Sequence, residues 1–168
     1  MTFAPGTVLI HPSHGPMSVT SISDHRFPDG SMRECLDLRT LDTHALVVTV
    51  PVDRHADVGL RTVVTGAELA EVIDTLGGST GDEPENWSRR FKANEEKMRT
   101  GSILKLAEVV RDILRRNEEK RVSLGERRIL DRGMSQLSRE LYYSKRMKSI
   151  DDAERLIRNT ALDKRSAR

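Results

Sequence analysis

A single cysteine in 168 residues, Cys35, leaves no internal disulfide to be made, and the chain reads as cytoplasmic. No apolar run approaches the roughly 18–20 residues that span a bilayer. Met1-Thr-Phe-Ala-Pro-Gly6 lacks a basic stretch followed by an apolar one, so neither a membrane anchor nor a signal peptide is expected. Lysine is absent from residues 1–83, which hold five Arg against twelve Asp and Glu, a net of −7. Residues 84–168 carry the other 23 basic side chains against 14 acidic ones, a net of +9. That split suggests two modules with different partners, the basic one facing a polyanion. On charge alone, an Arg-rich helical surface explains it equally well. Assembled chemistry is also missing. No Gly-rich phosphate loop follows a strand, and no Ser, His and Asp stand in a triad context. His11 and His14 have no Cys or carboxylate at a supporting spacing, so neither metal nor other cofactor is expected. The chain reads as a non-enzyme.

What is present is short strands first and helices afterwards, an α+β chain of two domains. Thr7-Val-Leu-Ile-His11 is β-branched and apolar, and Pro12-Ser-His-Gly-Pro16 stops it. Met17–Ile22 alternates with period two, as a half-buried strand does. Phe27-Pro-Asp-Gly30 is a hairpin signal, its glycine supplying the positive φ of a tight turn. Arg33–Arg39 and Ala45–Val50 follow, separated by Asp42-Thr-His44 and closed by Pro51. Cys35 reads as a small core residue on its strand. Such a run of short strands predicts a small, strongly bent sheet or barrel over residues 1–64.

Over residues 65–83 the period changes. Leu69, Val72, Ile73 and Leu76 mark a short helix over Gly66–Leu76, and Gly77–Pro84 is the linker candidate. Residues 84–168 then read as an all-α bundle. Asn86 caps a helix reaching about Thr100, and Ser102 caps the next, with Ile103, Leu106, Ala107, Val110, Ile113 and Leu114 on one face. Ser123-Leu-Gly-Glu126 fits a capping box, continued by Leu130, Met134, Leu137 and Leu141. Ser149 opens a last helix with Ala153, Leu156, Ile157 and Ala161 inward, and Asp163–Arg168 is expected to fray. Each domain covers its own apolar faces, which makes a monomer the expectation.

The only Trp, Trp87, stands at the first turn of the helix after the linker, with Arg89, Arg90 and Lys92 close behind. A helix N-terminus suits phosphate. Basic side chains beside an apolar ring can hold a duplex and present a wedge to a base step. Equally, Trp87 and Phe91, at i and i+4, would staple the helix to the bundle. Arg127 and Arg128 sit in the first turn of their helix, where the dipole disfavours cations by about 0.3 kcal/mol or more, a hint that the charge has a use. Arg115 and Arg116, with Lys120 and Arg121, read as a solvated face.

Asn86-Trp-Ser-Arg-Arg-Phe-Lys-Ala-Asn94, Leu106-Ala-Glu-Val-Val-Arg-Asp-Ile-Leu-Arg-Arg116 and Ser123-Leu-Gly-Glu-Arg-Arg128 resemble the C-terminal domain of the CarD/CdnL regulators of bacteria, the actinobacterial ones especially. Gly6–Gly15 and Thr49-Val-Pro51 are similar to that family's opening strand and the end of its last barrel strand. The resemblance implies a Tudor-like barrel that docks on the RNA polymerase β subunit. It also implies a helical domain on promoter double-stranded DNA at the upstream edge of the −10 element. There Trp87 would wedge into the minor groove and slow bubble collapse, with Arg89, Lys92 and Arg127 on the backbone and Arg90 and Arg128 in the same basic set. Two positions depart from the pattern: Thr49 stands where an Arg is common, and the second polymerase-binding Arg falls at His25 or Arg26. The alternative is a diverged paralogue, a DNA-binding protein or an interaction adaptor without β docking.

Overall fold

The computed structural model describes residues 3–41, 45–81, 84–144 and 147–163. The separator Asp42–His44, Asp82 and Glu83 of the linker, and residues 164–168 of the terminal segment lie outside them. The chain divides into two compact units, Met1–Val63 and Val64–Arg168.

The first unit is an antiparallel sheet of β1 (Val8–His11), β2 (Gly15–Arg26), β3 (Met32–Thr40), β4 (Val47–Pro51) and β5 (Arg61–Thr62), in the order β4-β3-β2-β1-β5. A 3-10 turn at Val52–Arg54 and the one-turn helix α1 (His55–Val58) precede β5. The turn after β2 closes as its residues demand. Gly30 takes φ 83°, and the Asp29 carboxylate accepts from the Ser31 backbone and hydroxyl. Leu9, Met17, Val19, Leu36, Leu38, Val50 and Leu60 form the core, and Cys35 is fully buried with its thiol pKa pushed up by that burial. The sheet is open rather than a closed barrel: β4 and β5 are its edges, and no ladder joins them among the described residues. Strand β2 is twice the expected length. Its last four residues, Ser23–Arg26, have no apolar alternation, and the ladder with β3 holds them in register. A bulge between Val19 and Ser21 bends the strand.

The second unit packs α2 (Gly66–Gly77), α3 (Trp87–Arg99), α4 (Ile103–Glu119), α5 (Leu124–Tyr143) and α6 (Ile150–Leu162). Short polar side chains start all five. Thr65 and Ser123 complete capping boxes with Glu68 and Glu126, while Asn86, Ser102 and Ser149 accept from the free N–H groups behind them. No proline follows Pro84 to interrupt the later helices. The expected stripes meet in one core of Val72, Leu76, Ala107, Val110, Ile113, Leu137, Leu141 and Ile157 with their neighbours, while Leu156, expected inward, is only half-buried. At Gly133 an added Cβ would stand 2.9 Å from Val110 Cγ2, so this glycine lets α5 cross close to α4. No described helix is long and apolar enough to cross a membrane.

Arg115 departs from its expected place on a solvated face. Half-buried on α4, its guanidinium donates to the carbonyls of Leu76, Gly77 and Gly78, to Thr80 Oγ1, and at 2.6 Å to the carbonyl of Ala161. One side chain therefore reaches carbonyls left open at the C-terminal ends of both α2 and α6 and holds the first residues of the linker candidate, while Arg111 donates to the carbonyl of Thr75. Arg115→Ala is expected to lower the unfolding free energy by about 2 kcal/mol. Urea denaturation measures it, and a loss below about 0.5 kcal/mol would return Arg115 to the solvated face.

Candidate functional site

In the helical unit the candidate site is built on the first turns of α3 and α5. Asn86 Oδ1 accepts from the backbone of Ser88 and Arg89 and begins α3 at Trp87. Ser123 begins α5 and accepts from the backbone of Glu126. The two starts are joined by an ion pair out of solvent: Arg90 Nε and Nη2 donate to Glu126 Oε1, both at 3.3 Å. Arg90 Nη1 also donates to the carbonyl oxygens of Pro84 and Glu85, the two residues that lead into α3. Glu126 Oε2 accepts from the Ser123 backbone and hydroxyl. Beside this pair, the Phe91 ring lies where a Cβ on Gly125 would meet it at 3.1 Å. Farther along, Arg132 pairs with Glu95 at 2.6 Å and Lys97 with Glu108 at 2.8 Å, pinning α3 to α5 and α4.

This arrangement sorts the basic residues named from the sequence. Arg90 is 9% exposed and its donors are spent on Glu126 and two carbonyls, so it leaves the set available to phosphate and becomes the part that orients the others. Arg89, Lys92, Arg127 and Arg128 are exposed and hold no ion-pair partner among the described residues. Trp87 is 58% exposed, its ring edge-on to Phe91 with centroids 6.3 Å apart. Phe91 is therefore the staple and Trp87 is presented outward. Pattern reading missed Arg90 because the buried face of α3 is polar, with Arg90 and Asn94 both inward. A cation there carries no periodic signal.

Burial alone would raise the Glu126 pKa, but the hydrogen bonds from Ser123 and the Arg90 charge outweigh it and hold the carboxyl below its ordinary value.

In the sheet unit, His25 and Thr49 converge on a residue that sequence reasoning passed over, Asp37 of β3. Asp37 Oδ1 accepts from Thr49 Oγ1 at 2.8 Å, and Oδ2 accepts from Ser21 Oγ at 2.8 Å and Ser23 Oγ at 3.3 Å. His25 Nε2 lies 3.2 Å from Oδ1. Burial pushes the Asp37 carboxyl up, and these hydrogen bonds with His25 bring it below its usual range. Only strand pairing could reveal the cluster, since Asp37 stands opposite Ser21 on one side and Thr49 on the other. Arg26, one residue on, is set by strand alternation on the opposite face, exposed and without an ion-pair partner among the described residues. The rings of His11 and His14 are 4.5 Å apart, and burial and His14 lower the His11 pKa. Among the described residues no group of three or more His, Cys, Asp or Glu could hold a metal ion.

Two comparisons bear on this geometry. Residues 71–158, from within α2 to within α6, match the family model described as CarD, C-terminal domain. The chain is also 26% identical over 139 residues to a protein of Bacillus subtilis (strain 168) named "Putative transcription factor YdeB", covering 83% of this chain and 90% of that protein.

A pH test follows from the Glu126 site. With its folded pKa below the unfolded value of about 4.3, Glu126 contributes fully above that value, and the contribution drains away as pH falls through the folded pKa. Glu126→Gln is expected to cost about 3 kcal/mol at about pH 7 and to flatten the loss of stability on acidification. Urea unfolding of both proteins at about pH 6 and about pH 3 measures it. Parallel losses would mean that the Glu126 charge adds nothing to the fold.

Proposed function

The chain belongs to the CarD family, and from that premise we propose that it is a non-catalytic transcription factor that docks on the RNA polymerase β subunit and stabilises the promoter open complex. The helical unit grips double-stranded DNA at the upstream edge of the −10 bubble. The observation that carries this reading is Trp87, held outward at the start of α3 amid Arg89, Lys92, Arg127 and Arg128. A core tryptophan would have been covered. This one is presented, on a base made rigid by the Arg90–Glu126 pair and by Phe91 against Gly125.

Physically, the four cations neutralise phosphate and release counterions, which gives affinity without sequence readout. The indole enters the minor groove at an unstacked step and raises the cost of restacking, so the bubble closes more slowly. Docking on the polymerase raises the effective concentration of these contacts, and weak DNA affinity then suffices.

The sheet unit supplies the dock through strands β2, β3 and β4, with His25 and Thr49 on one face and Arg26 on the other. One observation favours a second reading. His25 and Thr49 both turn onto Asp37 instead of offering cations, which suits a diverged member that binds DNA or another protein without β docking.

Trp87→Ala is expected to shorten open-complex lifetime about tenfold, or ~1.4 kcal/mol, with capture of cognate RNA polymerase unchanged. Competitor-challenge decay of open complexes measures the lifetime, and an unchanged decay would defeat the wedge. Arg127→Ala is expected to lower the log–log salt slope of duplex binding by about 0.9. Failure of the full-length chain to capture polymerase would select the second reading.

A further inference from the structure

Among the described residues of the helical unit, two large apolar side chains are exposed: Trp87 at 58% and Leu124 at 76%. Both stand at the first position of their helices. Leu124 lies off the buried stripe of α5, which runs through Ile129, Leu130, Met134, Leu137 and Leu141, so it adds nothing to the core. An exposed leucine by itself is ordinary. This one directly precedes the glycine that lies under the ring Trp87 meets. Trp87 is edge-on to Phe91, the Phe91 ring lies over Gly125, and Gly125 is the neighbour of Leu124. Around them stand Arg89, Lys92, Arg127 and Arg128, all exposed and without ion-pair partners among the described residues. The acidic residue in these two first turns, Glu126, is buried against Arg90. An apolar pair ringed by free cations fits a polyanion with an apolar interior, and a nucleic-acid duplex has both properties.

We propose that Leu124 is a second apolar contact to the DNA, packed on the sugar edges of the minor groove beside the step that Trp87 enters. The inference rests on the DNA-facing reading of this surface. Trp87 alone would meet one base step. With Leu124 the apolar ridge extends from α3 to α5, so the opened step is braced by a second side chain whose helix is locked to the first. Leucine suits this because it fills space against C–H surfaces without needing a hydrogen-bond partner in the groove.

The test uses the full-length chain with cognate RNA polymerase and a promoter whose open complex decays readily. Leu124→Ala keeps helix propensity high and removes a side chain that the core does not use, so thermal melting is unchanged. Open-complex lifetime is expected to fall about threefold, the scale of returning part of one leucine to water. Polymerase capture and the salt slope of duplex binding should stay as in the wild type, and Leu124→Phe should restore the lifetime. A wild-type lifetime for Leu124→Ala, with Trp87→Ala shortened, would overturn the role of Leu124 and leave the wedge standing. Reduced polymerase capture by Leu124→Ala would overturn it differently, by marking a protein contact. A wild-type factor with no effect on lifetime would remove the DNA-facing reading and this proposal with it.

Discussion

The buried ion pair between Arg90 and Glu126 is the contact on which the candidate DNA surface depends. Its net contribution to stability is modest by nature, because removing two charges from water offsets most of their attraction, and an apolar pair of the same volume would often do as well. What an apolar pair would not do is direct four chain segments at once. Arg90 reaches the two carbonyls before α3, its own helix, and the carboxylate of α5. That carboxylate in turn closes the capping box of α5 through Ser123. The donor geometry of a guanidinium is planar and fixed, so these bonds constrain angle as well as distance. Trp87 is one turn from Arg90 and Arg127 is the neighbour of Glu126. The positions of the exposed groups are consequences of the buried pair.

Arg115 repeats the device at the other end of the helices, where carbonyls rather than N–H groups are left open. Arg111, buried on α4, does likewise with Asp112 and the carbonyl of Thr75, so the helical unit spends at least three of its many cations inside. Net charge alone would have counted all of them as DNA contacts. The number relevant to phosphate binding is the exposed, unpaired subset, and at the α3–α5 end that subset is Arg89, Lys92, Arg127 and Arg128. Fewer free cations mean weaker free-DNA affinity, which is the regime in which a polymerase tether matters most.

Much of this unit was legible from sequence, for local reasons. Asn86, Ser102, Ser123 and Ser149 cap helices because their side chains reach N–H groups two or three residues on, a relation that needs no tertiary knowledge. The apolar stripes followed from the 3.6-residue period. What escaped depends on partners distant in the chain. The Arg90 partner lies 36 residues away and the Arg115 partners at Leu76–Gly78 and Ala161, so neither burial could be read from its neighbourhood. The sheet unit was less legible still. Ser23–Arg26 is strand because β3 pairs with it, and Asp37 gathers hydroxyls from two other strands through register alone. Closure of a sheet likewise depends on edges that short sequence windows do not contain, and here no ladder joins them among the described residues.

Asp37 and Glu126 solve the same problem with different means, and the difference bears on what each surface can do. Each is a carboxylate largely out of water whose charge is retained because hydrogen bonds outweigh desolvation. At Glu126 the principal cation is a guanidinium, which does not lose its proton in a protein, so the α3–α5 lock depends on acid only through the carboxylate itself. At Asp37 the partners are three hydroxyls and an imidazole, and His25 helps only with a proton on Nε2. Hydroxyl partners rotate and exchange with water easily, whereas a buried guanidinium does not. The Asp37 surface is therefore the more adaptable of the two, able to release a hydroxyl to an incoming partner at little cost. The Trp87 surface is preorganised, as a side chain must be if it is to hold a base step open rather than be pushed aside by restacking.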